Sequence, residues 1–282
     1  GSCSFIGGGA CNTTSCGTSV IVGGCCNTAS SNESFIGGGS NNVASGECSV
    51  IGGGTNNIAS CFKSTVGGGD TNCSSDFYST VGGGWDNCAR GNFSVVAGGL
   101  CGDASDDGAT IAGGRDNTAS GSCTFIGGGC ANTASGTSAV IGGGCLNNNS
   151  GRLGTIAGGL ENCVTGGGNI NYSVVGGGRS NTTTGRYMTI AGGFCNTASG
   201  ARSTIAGGFS SCAAGACSFI GGGACNCVTH AYSSAIGVNV HSVSGSMLHA
   251  NRLWLSAGAL PTADPGVVGV VWNSSGTLKI SV

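Results

Sequence analysis

One hydrophobic position, an isoleucine or valine, recurs along most of the chain, with a serine two residues before it and glycines after it. We call it the anchor. Anchors are fifteen residues apart, except for a step of nineteen before Val175 and one of sixteen before Ile236. The repeat reads S-x-I-G-G-G-x-x-N-x-A-S-G-x-x. The anchors are Ile6, Ile21, Ile36, Ile51, Val66, Val81, Val96, Ile111, Ile126, Ile141, Ile156, Val175, Ile190, Ile205, Ile220 and Ile236.

The length and content of the repeat determine the predicted fold. Fifteen residues are too few for a pair of helices, and each glycine in a helix interior costs roughly 1 kcal/mol. A short strand through Ser-x-Ile, a glycine turn, a second strand near Asn-x-Ala and a closing Ser-Gly turn make one coil. Equivalent positions then stack about 4.8 Å apart as parallel strands. We predict an all-β fold, a parallel β-solenoid (β-roll) of about sixteen coils over residues 1–237.

The residue before each anchor predicts an oligomer. Adjacent strand residues face opposite ways, so if the anchors fill the coil, this position points outward. A mixed Phe, Val and Thr surface needs a cover, and an identical chain is the simplest one. We expect a homotrimer; the alternative is a monomeric solenoid with a threonine-rich exposed face. The outward residues are Phe5, Val20, Phe35, Val50, Thr65, Thr80, Val95, Thr110, Phe125, Val140, Thr155, Val174, Thr189, Thr204, Phe219 and Ala235.

An asparagine follows the glycines in nearly every repeat. Stacked amide side chains hydrogen-bond to one another along the stack, so this column is predicted to support the turn rather than bind a ligand. The column contains Asn12, Asn27, Asn42, Asn57, Asn72, Asn87, Asn117, Asn132, Asn147, Asn162, Asn181, Asn196 and Asn226.

Composition and charge exclude several function classes. The 61 glycines follow the repeat, so the chain is not of low complexity. Nine basic residues are spread thinly and the net charge is −2, which argues against a nucleic-acid partner. The apolar run Val267 to Trp272 is too short to cross a bilayer, so we predict no membrane partner. Gly1 is not an initiator methionine, which indicates a processed chain or a fragment.

The nineteen cysteines occupy five of the fifteen repeat positions. Residues at one position of successive coils lie close enough for disulfides. Oxidised axial pairs and small apolar filler remain alternative interpretations. A zinc site or a catalytic cysteine is disfavoured, because no partner pair or dedicated histidine accompanies any cysteine, and no cofactor is predicted. The candidate disulfide pairs are Cys11 with Cys26, Cys73 with Cys88, Cys130 with Cys145 and Cys212 with Cys227.

Aromatic residues gather at the variable turn positions, where function is expected. Exposed aromatic side chains and asparagine amides on a stiff surface suit sugars, so host-surface glycans are a candidate partner. The main candidates are Trp85, Phe194, Phe209, Tyr172 and Tyr187, accompanied by Phe62, Phe77, Tyr78 and Phe93. The four extra residues within 164–171 predict a local bulge.

The repeat ends after Gly237, and both prolines, Pro261 and Pro265, lie in the remaining segment 238–282. A strand is predicted over residues 251–255. A turn at residues 273–276 separates two β-rich runs and predicts a hairpin. Because unpaired strand edges invite further stacking, we interpret this segment as a cap on the solenoid.

Two parts of the chain resemble known families. The segment L-P-T-A-D-P-G-V-V-G-V-V-W-N-S-S-G-T-L-K-I-S at Leu260 to Ser281 resembles the C-terminal motif of bacteriophage virion proteins, particularly fibres and tail or capsid appendages. The repeats resemble the β-roll head repeats of trimeric autotransporter adhesins and similar repeats in phage fibres. The resemblance implies a trimeric, non-enzymatic appendage on a virion surface or outside the cell.

We therefore expect a structural fibre or host-recognition component of a phage or phage-like particle, contacting other virion components. A bacterial surface adhesin or extracellular filament subunit is the alternative. An ice-binding solenoid is a third hypothesis, which the mixed Phe, Val and Thr column disfavours. No constellation of acid, base and nucleophile predicts an enzyme.

Overall fold

The computed structural model describes residues 3–166, 172–242, 248–250, 271–274 and 277–280. These residues are all-β without a helix, and residues 3–242 among them form a parallel solenoid, as predicted. Two strands of two residues each recur in the coils. The first sheet contains the anchors, and its strands are Phe5–Ile6, Val20–Ile21, Phe35–Ile36, Val50–Ile51, Thr65–Val66, Thr80–Val81, Val95–Val96, Thr110–Ile111, Phe125–Ile126, Val140–Ile141, Thr155–Ile156, Val174–Val175, Thr189–Ile190, Thr204–Ile205, Phe219–Ala224, Ser234–Val238 and Leu248–Ala250.

The second sheet follows the asparagine column and has fifteen strands, so the described residues make fifteen full coils and the first strand of a sixteenth. Its strands are Thr13–Thr14, Thr28–Ala29, Val43–Ala44, Ile58–Ala59, Cys73–Ser74, Cys88–Ala89, Asp103–Ala104, Thr118–Ala119, Thr133–Ala134, Asn148–Asn149, Cys163–Val164, Thr182–Thr183, Thr197–Ala198, Cys212–Ala213 and Cys227–Val228.

The pairing register follows the repeat. Phe35 pairs with Val50 and Ile36 with Ile51, fifteen residues on. A third ladder of single parallel bridges, which the sequence pattern did not predict, joins the residues after the glycines, for example Ser40 to its equivalent in the next coil. Three ladders in one coil leave few main-chain groups unpaired, so parallel hydrogen bonds rather than long strands hold the stack together.

Four repeat positions point inward and form the core. The serine, the anchor, the asparagine and the alanine of each coil are almost all fully buried, as Ser49, Ile51, Asn57 and Ala59 show. Ile6 is exposed because a described coil covers it on one side only. The core is therefore a set of side-chain columns along the stack, half of them polar.

The asparagine column links each coil to both neighbours, as predicted. The Asn42 main-chain N–H donates to Oδ1 of Asn27 in the coil before it, at 3.0 Å. Its Nδ2 donates to the carbonyl of Gly38 in its own coil at 3.1 Å and to that of Gly54 in the next coil at 2.8 Å. A buried polar column is stable here because the amide groups have partners.

Two coils break this column. Gly102 replaces asparagine, and its N–H still donates to Asn87 Oδ1 at 2.8 Å. Having no side chain, however, Gly102 offers no such oxygen to Asn117 in the next coil. Ser211 is the second substitution, and its hydroxyl accepts from the Asn226 N–H at 3.3 Å. The column is thus interrupted at Gly102 and weakened at Ser211.

The last anchor was wrongly predicted. Ala235, not Ile236, pairs with Ile220 and is buried, whereas Ile236 pairs with Gly222 and is half exposed. Ala235 lies fifteen residues after Ile220 and so keeps the inward position. The sixteen-residue step turns Ile236 to the opposite face, because adjacent strand residues alternate.

The nineteen-residue step leaves the stack in register, since Ile156 pairs with Val175. Residues 167–171 of the predicted bulge lie outside the described residues, as do the predicted strand at 251–255 and most of the phage-like segment. The chain divides into two compact units, Gly1–His249 and Ala250–Val282. In the second, Val271–Ser274 pairs antiparallel with Thr277–Ile280. Parallel bonding of the first unit continues past Gly237, where the Ser242 N–H donates to the Cys227 carbonyl at 3.0 Å.

Candidate binding surfaces

Each coil presents two outward faces. The glycine face consists of the residue before each anchor and the two residues after it, of which the first is usually and the second, the middle glycine, always glycine. The mixed face consists of the residue after the asparagine and the residue after the alanine, such as Ile58 and Ser60. On the glycine face, Phe35 is 37% exposed and its ring lies beside Gly37, and Phe125 lies likewise beside Gly127.

The glycines of one coil serve different purposes. The third glycine has a φ between 85° and 111° in all fifteen coils, and a Cβ on Gly114 would overlap the Gly129 carbonyl oxygen of the next coil. The coil itself therefore requires glycine there. A Cβ on the middle glycine Gly113 would meet nothing within 4 Å. The same holds at Gly8, Gly23, Gly143, Gly192 and Gly207, none of which has a left-handed φ.

The middle glycine nevertheless recurs in all fifteen coils. Glycine loses more conformational freedom on folding than any other residue, at roughly 0.5–1 kcal/mol relative to alanine in regular structure. In six coils, at Gly38, Gly53, Gly68, Gly128, Gly177 and Gly222, the middle glycine has a φ of 145° to 159°, so the coil itself favours glycine there. The single chain does not explain the glycine at Gly113 or at the five other open positions. A surface that must let another backbone approach closely does explain it.

The five predicted surface aromatics form three separate groups. Phe194 and Phe209 lie in neighbouring coils with ring centroids 5.5 Å apart, and Tyr172 and Tyr187 stack at 5.6 Å. Trp85 lies by itself at the turn after the glycines and is 52% exposed. The structure thus brings together two pairs but does not gather the five residues into one site.

The largest aromatic group lies at the closing turn of three successive coils. We define the aromatic ladder as Phe62, Phe77, Tyr78 and Phe93. Phe62 meets Tyr78 edge to face at 5.6 Å, and Tyr78 stacks on Phe93 at 5.2 Å with an angle of 8°. The Lys63 ammonium lies 5.1 Å from the Phe62 ring centroid. Fifteen-residue spacing was the available signal for this cluster, because it places Tyr78 and Phe93 at the same turn position.

The backbone at this turn is unusual in every coil. The third residue before each anchor, or before the equivalent residue in the last coil, has a positive φ, and it is rarely glycine: Tyr78 has a φ of 56° and Phe93 one of 57°. Non-glycine residues are uncommon there, because the left-handed region costs roughly 1–2 kcal/mol per residue. The coil geometry imposes this conformation, since Lys63 and Leu153 adopt it too. It holds the side chains at fixed positions on the outside of the turn.

All nineteen cysteines are free thiols in this structure. Backbone pairing aligns Cys73 with Cys88, Cys130 with Cys145, and Cys212 with Cys227. Cys11 and Cys26 occupy equivalent positions in neighbouring coils, and the Cys26 Sγ lies 3.3 Å from that of Cys25. The four predicted disulfides thus remain predictions, with their pairs in register.

One cysteine pair has charged neighbours that the sequence reasoning missed. Arg90 lies beside the Cys88 thiol on the mixed face, and its Nη1 is 3.3 Å from Oδ2 of Asp103. Hydrogen bonds from Cys73 and Arg90 lower the pKa of Cys88 to about 6, whereas that of Cys73 is raised. In the repeat the position of Arg90 is usually serine, and that departure was the available signal.

Within the described ranges, no group of three or more His, Cys, Asp and Glu residues could hold a metal ion. The part of the chain that the structure describes also includes no helix long and apolar enough to span a membrane.

No protein-family model matches the chain, and a search of the curated proteins found no match.

Proposed function

We propose that this chain forms a homotrimeric fibre of a phage or phage-like particle, as a stiff structural or host-recognition component without enzymatic activity. The observation that carries the proposal is the middle glycine at Gly113 and the five other open positions, where the single chain does not need it.

A trimer explains the composition of the glycine face. Side chains such as Phe35 and Phe125 leave apolar surface exposed on this face, and the middle glycines leave a strip without side chains along the stack. Burying such a stripe is favourable at roughly 25 cal/mol per Å². A second and third copy, related by rotation about one axis, bring the same stripe from each chain into contact.

The virion assignment rests on the C-terminal resemblance at Leu260 to Ser281 and on the resemblance of the repeats to trimeric β-rolls. In this proposal the segment 238–282 caps the stack, and its paired strands Val271–Ser274 and Thr277–Ile280 form the predicted hairpin. A cap protects the last coil from adding foreign strands.

Light scattering coupled to size exclusion tests the trimer. The expected mass is three times the 26.8 kDa of the chain. Gly113→Val is expected to give a folded monomer, because its side chain enters open space in one chain but obstructs a second backbone. The matched control is Thr118→Val on the mixed face, which should remain a trimer. A monomeric wild-type chain would remove the trimer from the proposal, and a trimeric Gly113→Val variant would show that the glycine face is not its interface.

The particle assignment has a separate test in the neighbourhood of the gene. Flanking tail and capsid genes support a virion component, whereas flanking secretion genes would favour the bacterial adhesin alternative.

A further inference from the structure

Departures from the repeat concentrate in the coil that follows Phe93, the last residue of the aromatic ladder. Within residues 102–108 the asparagine column is broken at Gly102, and Asp106 and Asp107 replace the usual turn residues. Seven of the eleven acidic residues, against two arginines, lie between Asp70 and Asp116. Positions that violate a repeat without a structural gain are where function is expected.

The aromatic ladder ends at an unfilled position. Phe93 is 63% exposed, and the equivalent residue of the next coil is Gly108, the only glycine at this turn position among the described coils. The coil after that has Cys123 there. Residues two coils apart are about 10 Å apart along the stack. Since Tyr78 already stacks on Phe93 at 5.2 Å, one more ring at the same spacing would lie over Gly108, beside the Cys123 Sγ, which is 3.5 Å from where a Cβ on Gly108 would lie.

Polar groups border this gap. Asn92 Nδ2 donates to Asp107 Oδ1 at 3.0 Å, and the Asp107 N–H donates to Asp106 Oδ1 at 2.8 Å. A carboxylate has about four acceptor sites, so both aspartates retain capacity for ligand hydroxyl groups. The local excess of carboxylates repels sulfated, sialylated and phosphorylated ligands.

We propose that the Gly108 gap is a binding site for one neutral pyranose ring of a glycan. The apolar face of the sugar stacks on Phe93, and its hydroxyl groups bond to Asp107 and Asp106. Planar carboxylates next to an exposed aromatic ring provide both contacts that a sugar needs, one apolar and one polar. The site goes beyond the fibre proposal and does not depend on it, because every residue involved belongs to one chain.

Placing a side chain in the gap by substituting Gly108, and measuring sugar binding, tests the proposed site. The probe is an array of neutral oligosaccharides of glucose, mannose, galactose and N-acetylglucosamine with sulfated and sialylated counterparts, followed by calorimetry on the best neutral ligand. Phe93→Ala and Gly108→Tyr are each expected to weaken binding at least tenfold. Tyrosine is compatible with this turn, as Tyr78 and Tyr187 show, and a Cβ at Gly108 has ordinary contacts. The control Tyr232→Ala removes an equally exposed ring elsewhere at the same turn position and should leave binding within twofold.

Several results would overturn the site. Absence of binding to every neutral sugar, or a preference for the sulfated and sialylated forms, contradicts the proposed chemistry. Unchanged or tighter binding by Gly108→Tyr would show that the exposed rings, not the gap, attract the ligand. A change in assembly mass for Phe93→Ala would instead assign the aromatic ladder to a contact between chains. Since binding and mass are measured separately, failure of the trimer leaves this test intact.

Discussion

The two outward faces of the solenoid are built on the same parallel pairing but differ in what they expose. The glycine face has a large or β-branched residue beside two positions with little or no side chain, as at Phe35 and Gly37. On the mixed face, the residue after the asparagine is Thr, Cys, Val, Ile, Asp or Asn in no regular order. The residue after the alanine is usually an exposed serine. The inward columns therefore determine the coil, whereas the outward columns are free to be adapted to partners.

The largest loss of stability should come from substituting the third glycine, which the coil requires, whereas the middle glycine should tolerate substitution in the single chain. Gly114→Ala should lower the free energy of unfolding by about 3 kcal/mol or more, because its Cβ would overlap the next coil at a φ of 93°. Gly113→Ala should change the stability of the single chain by less than about 0.5 kcal/mol. Urea unfolding at a protein concentration where light scattering shows both variants and the wild type to be monomeric measures both. Equal losses for the two variants would mean that the coil, not a partner, requires the middle glycine.

The asparagine column should contribute nearly as much, independently of either face. Asn132→Ala removes the donor to the Gly128 and Gly144 carbonyls and the acceptor for the Asn147 N–H, all at 3.0 Å. Buried groups left without partners cost about 1–3 kcal/mol each, so we expect a loss of about 3 kcal/mol. Urea unfolding of Asn132→Ala against the outward control Thr133→Ala, which should stay within about 0.5 kcal/mol, checks this. A loss below 1 kcal/mol would contradict the role of the column.

Repairing the break in that column should have a smaller effect of opposite sign. Gly102→Asn restores an acceptor for the Asn117 N–H, and we expect it to raise the free energy of unfolding by about 1 kcal/mol. The added Cβ would lie 3.0 Å from Asn87 Oδ1 in the coil before it and 3.2 Å from Val96 Cγ1 in its own coil, so these side chains must shift slightly. A destabilised variant would show that the coil has adapted to glycine. Thermal unfolding of wild type and variant decides between these outcomes.

On the mixed face, the lowered pKa of Cys88 should be measurable as a change in its alkylation rate with pH. Because the pKa of Cys88 is lowered to about 6, its thiolate fraction rises through pH 6 and is nearly complete by pH 8. Alkylation of Cys88 should therefore reach a plateau near pH 8, whereas that of Cys163, whose pKa is raised by burial, should still increase above pH 9. Peptide mass spectrometry after timed iodoacetamide treatment follows each site.

Arg90→Gln should raise the pKa of Cys88 and slow its alkylation several-fold at pH 7, while the rate at Cys163 stays unchanged. Equal rates at Cys88 in wild type and variant would contradict the role of Arg90. The same digest, made after incubation with oxidised glutathione, shows whether the aligned Cys73 and Cys88 form the predicted disulfide.

The sequence predicted most of the fold because the fold is one-dimensional: a fifteen-residue period places Ile36 over Ile51 without long-range information. It failed at Ile236, where residue type suggested an anchor but spacing did not. The same period also places Trp85 seven coils away from Phe194, so their separation follows from the sequence. The repeat pattern could not predict that Arg90 hydrogen-bonds to Cys88, because that contact depends on side-chain directions on the mixed face.

A crosslinking experiment determines which outward face of the solenoid contacts another chain. A photo-crosslinking p-benzoylphenylalanine is placed at Phe35 on the glycine face or at Ile58 on the mixed face, two residues that are 37% and 41% exposed in one chain. We expect covalent dimers and trimers on a denaturing gel from the Phe35 variant and none from the Ile58 variant. Crosslinks from Ile58 alone, or from neither position, would contradict this expectation.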